Sequence, residues 1–431
     1  MLNEHPVIGF FPTFHSLGEV LPQKKIAKNF IDNGGKVIFF SHGGQFEYLI
    51  KDIGCKLIRL KPLDYIEIIE KFDLSKIPVE KQQFLAYDKK TIELFVKDEI
   101  EAFKKTKIDL VLSSFNPTTS ISARFLKIPL VVLLSGTSTS LYYSSGYATF
   151  PDNYENIFTK VLPRILKRYI TRWMLLNNKH FVKNFNIVGK KYNIKKFKTL
   201  NEILEGDYTL VCDDINLLGV KPSDRFPLKN FIGPVSIGFS DYQSKEVDED
   251  IIKHLKRPGK SILLIMGSYP KKKRFINILN MLNKTNYNIV VVSTTISEKD
   301  LSYKKENILF KKFIKSPQAI NKMVDLAIIH GGRGTVYNAA YSGKPSIGIP
   351  SFIEQQYNID CLVRHGAGIR LSYKFFEEDK LKKAIINIFN NYNIYLKNAK
   401  NLASKLQKEI LEERASMRIN EILKTNNKQK S

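Results

Sequence analysis

The sequence predicts an α/β protein of two doubly wound domains, each a parallel sheet covered by helices. Three observations carry this. Short apolar runs rich in Val, Ile, Leu and Phe recur along the chain, as strands buried on both faces do. Amphipathic segments separate them, so strand and helix alternate. The 431 residues exceed one such domain and, at roughly 150 residues per domain, fit two or three.

The elements follow in order. In the first half, Val7–Phe11, Lys36–Phe40, Leu110–Leu112, Leu130–Leu134 and Tyr208–Val211 read as buried strands, with helical segments such as Gln23–Asn33 between them. In the second half, Ser261–Ile265, Asn288–Val292, Leu326–Ile329 and Ser346–Ile349 repeat the pattern. A polar, acidic stretch from Ser236 to Asp250 stands out in a basic chain and reads as a linker, with a short helix to Lys256 and Pro258-Gly259 opening the second domain. The expected division is 1–235, a linker over 236–258, and 259–423 ending in helices. A polar tail, 424–431, is expected to be disordered.

Composition narrows the partners. Sixty-eight Lys and Arg against 42 Asp and Glu give a net charge of +26. This balance favours anionic ligands or an anionic membrane face, and A/T-rich coding explains part of it. No nucleic-acid-binding motif accompanies the charge. The three cysteines, Cys55, Cys212 and Cys361, have no paired spacing, which argues for a reducing compartment and against structural zinc. No apolar run reaches the roughly 18 residues of a membrane span, and the start of the chain reads as a strand rather than a leader.

The most specific stretch runs from His330 to Leu371. An apolar strand leads into His330-Gly-Gly-Arg-Gly334 and then a helix start at Thr335. Glycines between a strand and a helix let backbone N–H groups approach a phosphate, and the helix N-terminus adds positive charge. Gly343-Lys-Pro345 ends that helix, a short strand reaches Pro350, and Glu354, Gln355 and Asn358 open the next helix.

This succession resembles the donor-binding signature of the UDP-glucosyl/UDP-glucuronosyltransferase family, HGG-x-GT-x-x-E-A-x-x-x-G-x-P followed by P-x-x-x-D-Q-x-x-N. The matching residues are His330, Gly331, Gly332, Gly334, Thr335, Ala339, Gly343, Pro345, Pro350, Gln355 and Asn358. Phe231-Ile-Gly-Pro234 and Ile265-Met-Gly-Ser268 resemble two further family segments. The resemblance implies the GT-B fold, two Rossmann-like domains facing a cleft with the donor on the second. His330 would lie beside the pyrophosphate, and Gly332, Gly334 and Thr335 would donate N–H groups to it. Gly267 and Ser268 would approach from the neighbouring loop, and Glu354 and Gln355 would hold sugar hydroxyls. Two positions depart from the family: its Asp is Glu354 here, and its ribose-binding Glu is Asn338. Arg333 is either a phosphate contact or a solvated turn residue. Lys271-Lys-Lys-Arg274 reads as a solvated helix start.

The family's catalytic histidine, in G-H-x-x-P, is replaced within Gly18-Glu-Val-Leu-Pro22 by Glu19. Kdo transferases are similar here, with a Ser-x-Gly-Glu turn that Ser16-Leu-Gly-Glu19 matches. Glu19 is the expected general base, His15 is its rival, and a plain helix-capping role for Glu19 is the bland reading. The family's histidine-orienting aspartate would fall near Ser113-Ser114 and is absent. Asp213-Asp214 reads as a turn or helix cap rather than a metal pair.

From Asn156 to Asn201 there is no acidic residue. Lys160, Arg164, Arg168 and Arg172 make one helical stripe; Leu162, Leu166, Tyr169, Trp173 and Leu176 make another. That pattern suits a basic amphipathic helix on an anionic membrane, or a surface helix packed on the first domain. The aromatic lead-in Tyr142–Phe150 reads as a hydrophobic pocket or an ordered loop.

The sequence therefore leads to an inverting glycosyltransferase moving a sugar from UDP to a hydroxyl of a lipid or other hydrophobic acceptor. It would act peripherally on the cytoplasmic membrane face, with no metal, no cofactor beyond the UDP-sugar substrate, and no nucleic acid. The alternatives are a soluble enzyme on a small aglycone, a UDP-sugar 2-epimerase, and a non-catalytic binder.

Overall fold

The computed structural model describes residues 6–61, 88–235, 247–267, 272–301, 306–372, 374–406 and 411–430. The expected linker segment 236–246 and Ser268 lie outside them.

The first sheet contains β1 (Val7–Pro12), β2 (Lys36–Ser41), β3 (Lys56–Arg59), β4 (Leu110–Ser114), β5 (Leu130–Leu134) and β6 (Tyr208–Val211). The second contains β7 (Ser261–Ile265), β8 (Asn288–Val292), β9 (Ile308–Lys311), β10 (Leu326–Ile329), β11 (Ser346–Gly348) and β12 (Gly368–Arg370). Their orders are β3-β2-β1-β4-β5-β6 and β12-β11-β10-β7-β8-β9, and neighbouring strands pair in parallel throughout these two sheets. Read from the first strand of each domain, both are the doubly wound order 3-2-1-4-5-6. The expected fold class is therefore the one observed.

Three strands were not expected: β3, β9 and β12. All three are edge strands of three or four residues, each carrying Lys or Arg. Edge position explains the miss, since one flank faces away from the sheet and no long apolar run is needed.

The helices that matter below are α1 (Leu17–Asp32), α2 (Lys89–Thr106), α3 (Ser140–Ser145), α4 (Ile157–Lys160) and α5 (Arg164–Leu176) from the first half. From the second half they are α6 (Glu249–Leu255), α7 (Lys272–Asn283), α8 (Pro317–Met323), α9 (Arg333–Ser342), α10 (Ile353–Arg364) and α11 (Leu411–Lys430).

Two expectations need correcting. The tail expected to be disordered is helical as far as Lys430, because it continues α11. That helix does not stay with the second domain either. Ala415, Ile419, Ile422 and Leu423 are buried in the first sheet's core beside Ile26 and Phe30, and Arg418 Nε donates to Asn230 Oδ1 at 2.7 Å. Their spacing of three to four residues is one helical stripe, and that stripe finds its apolar partner on α1. Within the expected linker, α6 buries Ile251 with Leu263 and Val290, so this short helix is part of the second domain's packing.

A strap joins the halves. One apolar core contains Tyr142, Leu217 and Phe231 from the first half together with Tyr337, Tyr357 and Leu362 from the second. Just past α3, Thr149 Oγ1 donates to Asp360 Oδ2 at 2.5 Å and Gln356 Nε2 donates to Thr149 Oγ1 at 2.7 Å. Arg370 then holds Asp152 in a bidentate pair, at 2.8 and 2.9 Å, and Asp360 at 2.7 Å. The aromatic lead-in is thus an ordered, clamped loop; Tyr142 is fully buried against Tyr357 and lines no open pocket.

The basic segment is broken into short helices, with Pro163 between α4 and α5. Its apolar residues do not pack inward as a face. Ile157, Phe158, Val161 and Ile165 are 82, 82, 81 and 85 % exposed, and Tyr169 and Trp173 are 69 and 62 % exposed. The exposed row is 157-161-165-169-173, offset from the expected one: Leu166, Tyr169 and Trp173 are exposed but Leu162 and Leu176 are half-buried. Lys167, paired with Glu155 at 2.7 Å, and the buried Thr171 mark the side that faces the protein.

Candidate active site

In a doubly wound sheet, ligands bind where the strand order reverses, at the carboxyl ends of the two central strands. The first domain's reversal lies between β1 and β4, and the second's between β7 and β10. Of the candidate residues, His15 and Glu19 follow β1, Gly267 follows β7, and His330, Gly332, Gly334, Thr335 and Asn338 follow β10. Glu354 and Gln355 begin α10, directly after β11.

On the second domain the turn is shaped by contact. Gly331 has φ +88°, and a Cβ there would lie 2.6 Å from the Gln355 carbonyl. Only glycine takes that conformation at no steric cost. A Cβ at Gly332 would meet His330 Nε2 at 2.4 Å, and one at Gly267 would meet the same ring at 2.9 Å. Two glycines thus enclose the His330 imidazole, whose Nδ1 lies 3.4 Å from the Ile265 carbonyl. Burial pushes its pKa down to about 4, so the ring is neutral at physiological pH. Gly334, in contrast, faces open space, and with Thr335 it stands in the first turn of α9. Thr335 Oγ1 is returned to the Gly332 carbonyl at 2.8 Å.

Around this turn the polar groups divide into satisfied and unsatisfied. Asn358 Nδ2 donates to the Gly331 carbonyl at 3.1 Å, and its Oδ1 accepts from Thr137 of the first domain at 2.7 Å. Gln355 Oε1 accepts the Ser351 amide at 2.8 Å, which fixes the orientation of this predicted sugar contact. Among the described residues, buried Asn338 Oδ1, Asn321 Oδ1 and Gln318 Nε2 have no hydrogen-bond partner. They sit on α8 and α9, which pack together. Gln318 and Asn321 were not singled out from sequence; the contiguous Pro317-Gln318 at a helix start was the available signal.

On the first domain, Ser16 precedes α1 and Glu19 lies in its first turn, where the helix N-terminus favours a carboxylate. Burial raises the pKa of Glu19, while the charge of Arg333 and a hydrogen bond from Ser114 oppose the rise. Ser114 stands at the end of β4, opposite Pro12, and its hydroxyl also accepts from buried Gln23 at 2.8 Å. The rival, His15, is half-buried, and desolvation lowers its pKa. Glu19 is half-buried and has Arg333 and Ser114 beside it, surroundings that a solvated helix cap would not need.

Arg333 turns away from the loop that carries it. Its Nη2 donates across the cleft to the Gly18 carbonyl at 3.1 Å. It faces Cys212, Asp213, Glu19 and Glu354, so it is neither a solvated turn residue nor directed along its own loop. Asp214 does cap a helix, accepting the Asn216 amide at 2.8 Å. Asp213, expected to do the same, instead accepts the Gly136 amide at 2.6 Å and faces Arg333. Arg333, Asp213, Thr137 and Asn358 line a small interdomain cavity, with room for about one water. No group of three or more His, Cys, Asp or Glu side chains stands together as a metal-ligand set among the described residues. Lys272 matches the expectation of a solvated helix start, paired with Asp300 at 2.8 Å. Lys271 lies outside the described residues.

Comparison with known proteins agrees with this geometry. Residues 242–414 match the glycosyltransferase family 28 C-terminal domain. UDP-glucuronosyltransferase 2B33 of Macaca mulatta is 23% identical over 338 residues, 73% of this chain and 60% of the relative. The chain therefore spans well under the full length of that relative. A PGL/p-HBAD biosynthesis glycosyltransferase of Mycobacterium tuberculosis is 21% identical over 313 residues, 71% of this chain and 69% of the relative. Among solved structures, the calicheamicin glycosyltransferase CalG4 superposes with a TM-score of 0.67 at 15% identity, covering 98% of this chain and 99% of that one. Glycosyltransferase VinC in complex with DTDP gives 0.64 at 13% identity, covering 98% and 100%. By its paired doubly wound sheets and these structural likenesses the chain has the two-domain GT-B fold, and its second half carries a match to the glycosyltransferase family 28 C-terminal domain.

Proposed function

We propose that this protein is an inverting glycosyltransferase that moves a hexose from a UDP-sugar to a hydroxyl of a lipid or other hydrophobic acceptor at the cytoplasmic membrane face. The observation that carries the reading is the apposition of two unlike switch points. A glycine turn at a helix N-terminus faces a carboxylate turn across one cleft, and the Arg333–Gly18 contact of 3.1 Å spans them.

The diphosphate would lie at the N–H groups of Gly332, Gly334 and Thr335, with neutral His330 donating or accepting a hydrogen bond without adding charge. Asn338 Oδ1, buried and unpaired among the described residues, suits a ribose hydroxyl donor. Glu354 and the Gln355 amide would hold the sugar. Glu19 takes the acceptor's hydroxyl proton as that oxygen bonds to the anomeric carbon from the face opposite the diphosphate. The bond from the anomeric carbon to the diphosphate oxygen breaks, and UDP leaves with the electron pair, its charge met by the α9 dipole.

The membrane part rests on the exposed apolar row from Ile157 to Trp173, flanked by Lys160, Arg164, Arg168 and Arg172. Apolar residues beside cations suit an interface with anionic lipid. Among the described residues no helix is long and apolar enough to cross a membrane.

The test is UDP release from a panel of UDP-sugars, with and without anionic liposomes carrying candidate acceptor lipids. Release that needs one sugar and the lipid supports the reading, and Glu19→Gln should lower it by roughly 10²–10⁴-fold without weakening UDP binding. Release indifferent to liposomes removes the lipid acceptor. Full activity of Glu19→Gln removes the base.

A further inference from the structure

Arg333 is the first residue of α9, where the helix dipole disfavours a cation, and its guanidinium is drawn into an interdomain cavity. Something must hold it there. Its surroundings supply the answer: Glu19 from the turn after β1, Asp213 from the turn after β6, and Glu354 from α10 all face it, with Cys212. One cation serves three carboxylates. For each of the three, burial raises the pKa and Arg333 is the largest opposing influence. Across the cleft its Nη2 donates to the carbonyl of Gly18, the residue that precedes Glu19. The groups facing Glu19 are Arg333, Ser114, Cys212 and Glu354.

We propose that Arg333 is a positioning residue through which the donor domain prepares the acceptor-side base: it fixes the Gly18 carbonyl and keeps the Glu19 carboxylate ionised only when the donor turn and the base turn are apposed. The proposal rests on the reading of Glu19 as base. It gives a residue of the glycine loop a role toward the acceptor hydroxyl rather than toward phosphate. An open cleft, with Arg333 withdrawn, then leaves Glu19 beside Glu354 without its counter-charge and disposed to hold a proton.

The experiment measures kcat/KM against pH for the wild type, Arg333→Met, Arg333→Lys and Glu19→Gln, together with UDP affinity by calorimetry. In Arg333→Met the acidic limb should move up by about one pH unit, so activity at pH values below the wild-type limb should fall about tenfold while activity well above it changes little, because one unit is one factor of ten in ionisation. UDP affinity should stay within about threefold, which also reports that the variant is folded. Arg333→Lys should return most of the limb's position, since it keeps the charge but not the fork of donors. An unmoved limb in Arg333→Met, with Glu19→Gln inactive, overturns this proposal and leaves the base standing. Loss of UDP affinity with an unmoved limb makes Arg333 a phosphate contact and overturns it as well. A fully active Glu19→Gln overturns the base reading itself, and the proposal with it.

Discussion

The two switch points of this molecule have the same topology and opposite chemistry. After β7 and β10 the chain builds with backbone: Gly267, Gly331, Gly332 and Gly334 shape a turn in which the ring of His330 is held between glycines. After β1 and β4 it builds with side chains: Glu19, Ser114 and Gln23 meet in a small polar set beneath the α1 N-terminus. A diphosphate is best bound by many N–H groups at close approach, which demands missing Cβ atoms. A proton is best removed by one carboxylate in a tuned environment, which demands burial and a counter-charge. On the proposed function, one architecture would serve two tasks by exchanging glycines for carboxylate.

The largest expected disruption separates the halves rather than altering either. Arg370→Met removes the guanidinium that pairs with Asp152 and Asp360, 7 and 8 % exposed. Breaking such a buried pair costs about 3–5 kcal/mol. The expected outcome is a clear drop in the denaturation midpoint, read by calorimetry, with the strap at 149–152 becoming open to proteolysis. An unchanged midpoint would mean that the apolar contacts around Tyr142 and Tyr357 hold the halves alone.

Next in size is a pH effect on the second switch point. His330 has a folded pKa of about 4 against 6.5 unfolded. A histidine with a depressed pKa contributes its stability fully above 6.5 and loses it as pH falls from 6.5 toward 4, by no more than ~3 kcal/mol. His330→Gln should flatten that part of the stability curve. An unaltered curve would show that the ring is not the titrating group.

The smallest expected effect sharpens the contrast most. Gly332→Ala places a Cβ 2.4 Å from the His330 ring. Overpacking costs about 1–3 kcal/mol, so UDP affinity should fall roughly 5- to 150-fold while the acidic limb set by Glu19 stays in place. A shift of that limb would show that the two switch points are not independently tuned.

The legibility of the two sites differs for the same reason that their chemistry does. A backbone-built site must write its glycines into one continuous stretch, and His330-Gly-Gly-Arg-Gly334 with Gln355 and Asn358 was readable at once. A side-chain site gathers residues from distant places. Ser114 looked like a missing aspartate, Asp213 like a cap, and Arg333 like half of a phosphate site. Gln318 and Asn321 offered only a Pro-Gln helix start, and burial is what leaves their polar atoms unpaired among the described residues. In the fold, central strands were legible because both faces are apolar, and the edge strands β3, β9 and β12 were not, since one flank has no neighbour.

By itself the sequence determined the alternation of strand and helix and the doubly wound class, and it marked the glycine turn after Ile329 and the acid in the first turn of α1. These depend on local pattern: apolar runs, glycines at a strand-to-helix turn, and an acid in a first helical turn. Only the tertiary structure decided that α11 returns to the first sheet, that the aromatic segment from Tyr142 is a clamp, that the row from Ile157 to Trp173 faces outward, and that Arg333 reaches Gly18 of the opposite domain. An amphipathic pattern states that a face is apolar without stating what covers it, and a charge states its sign without its partner. Both are settled only when distant parts of the chain share one space.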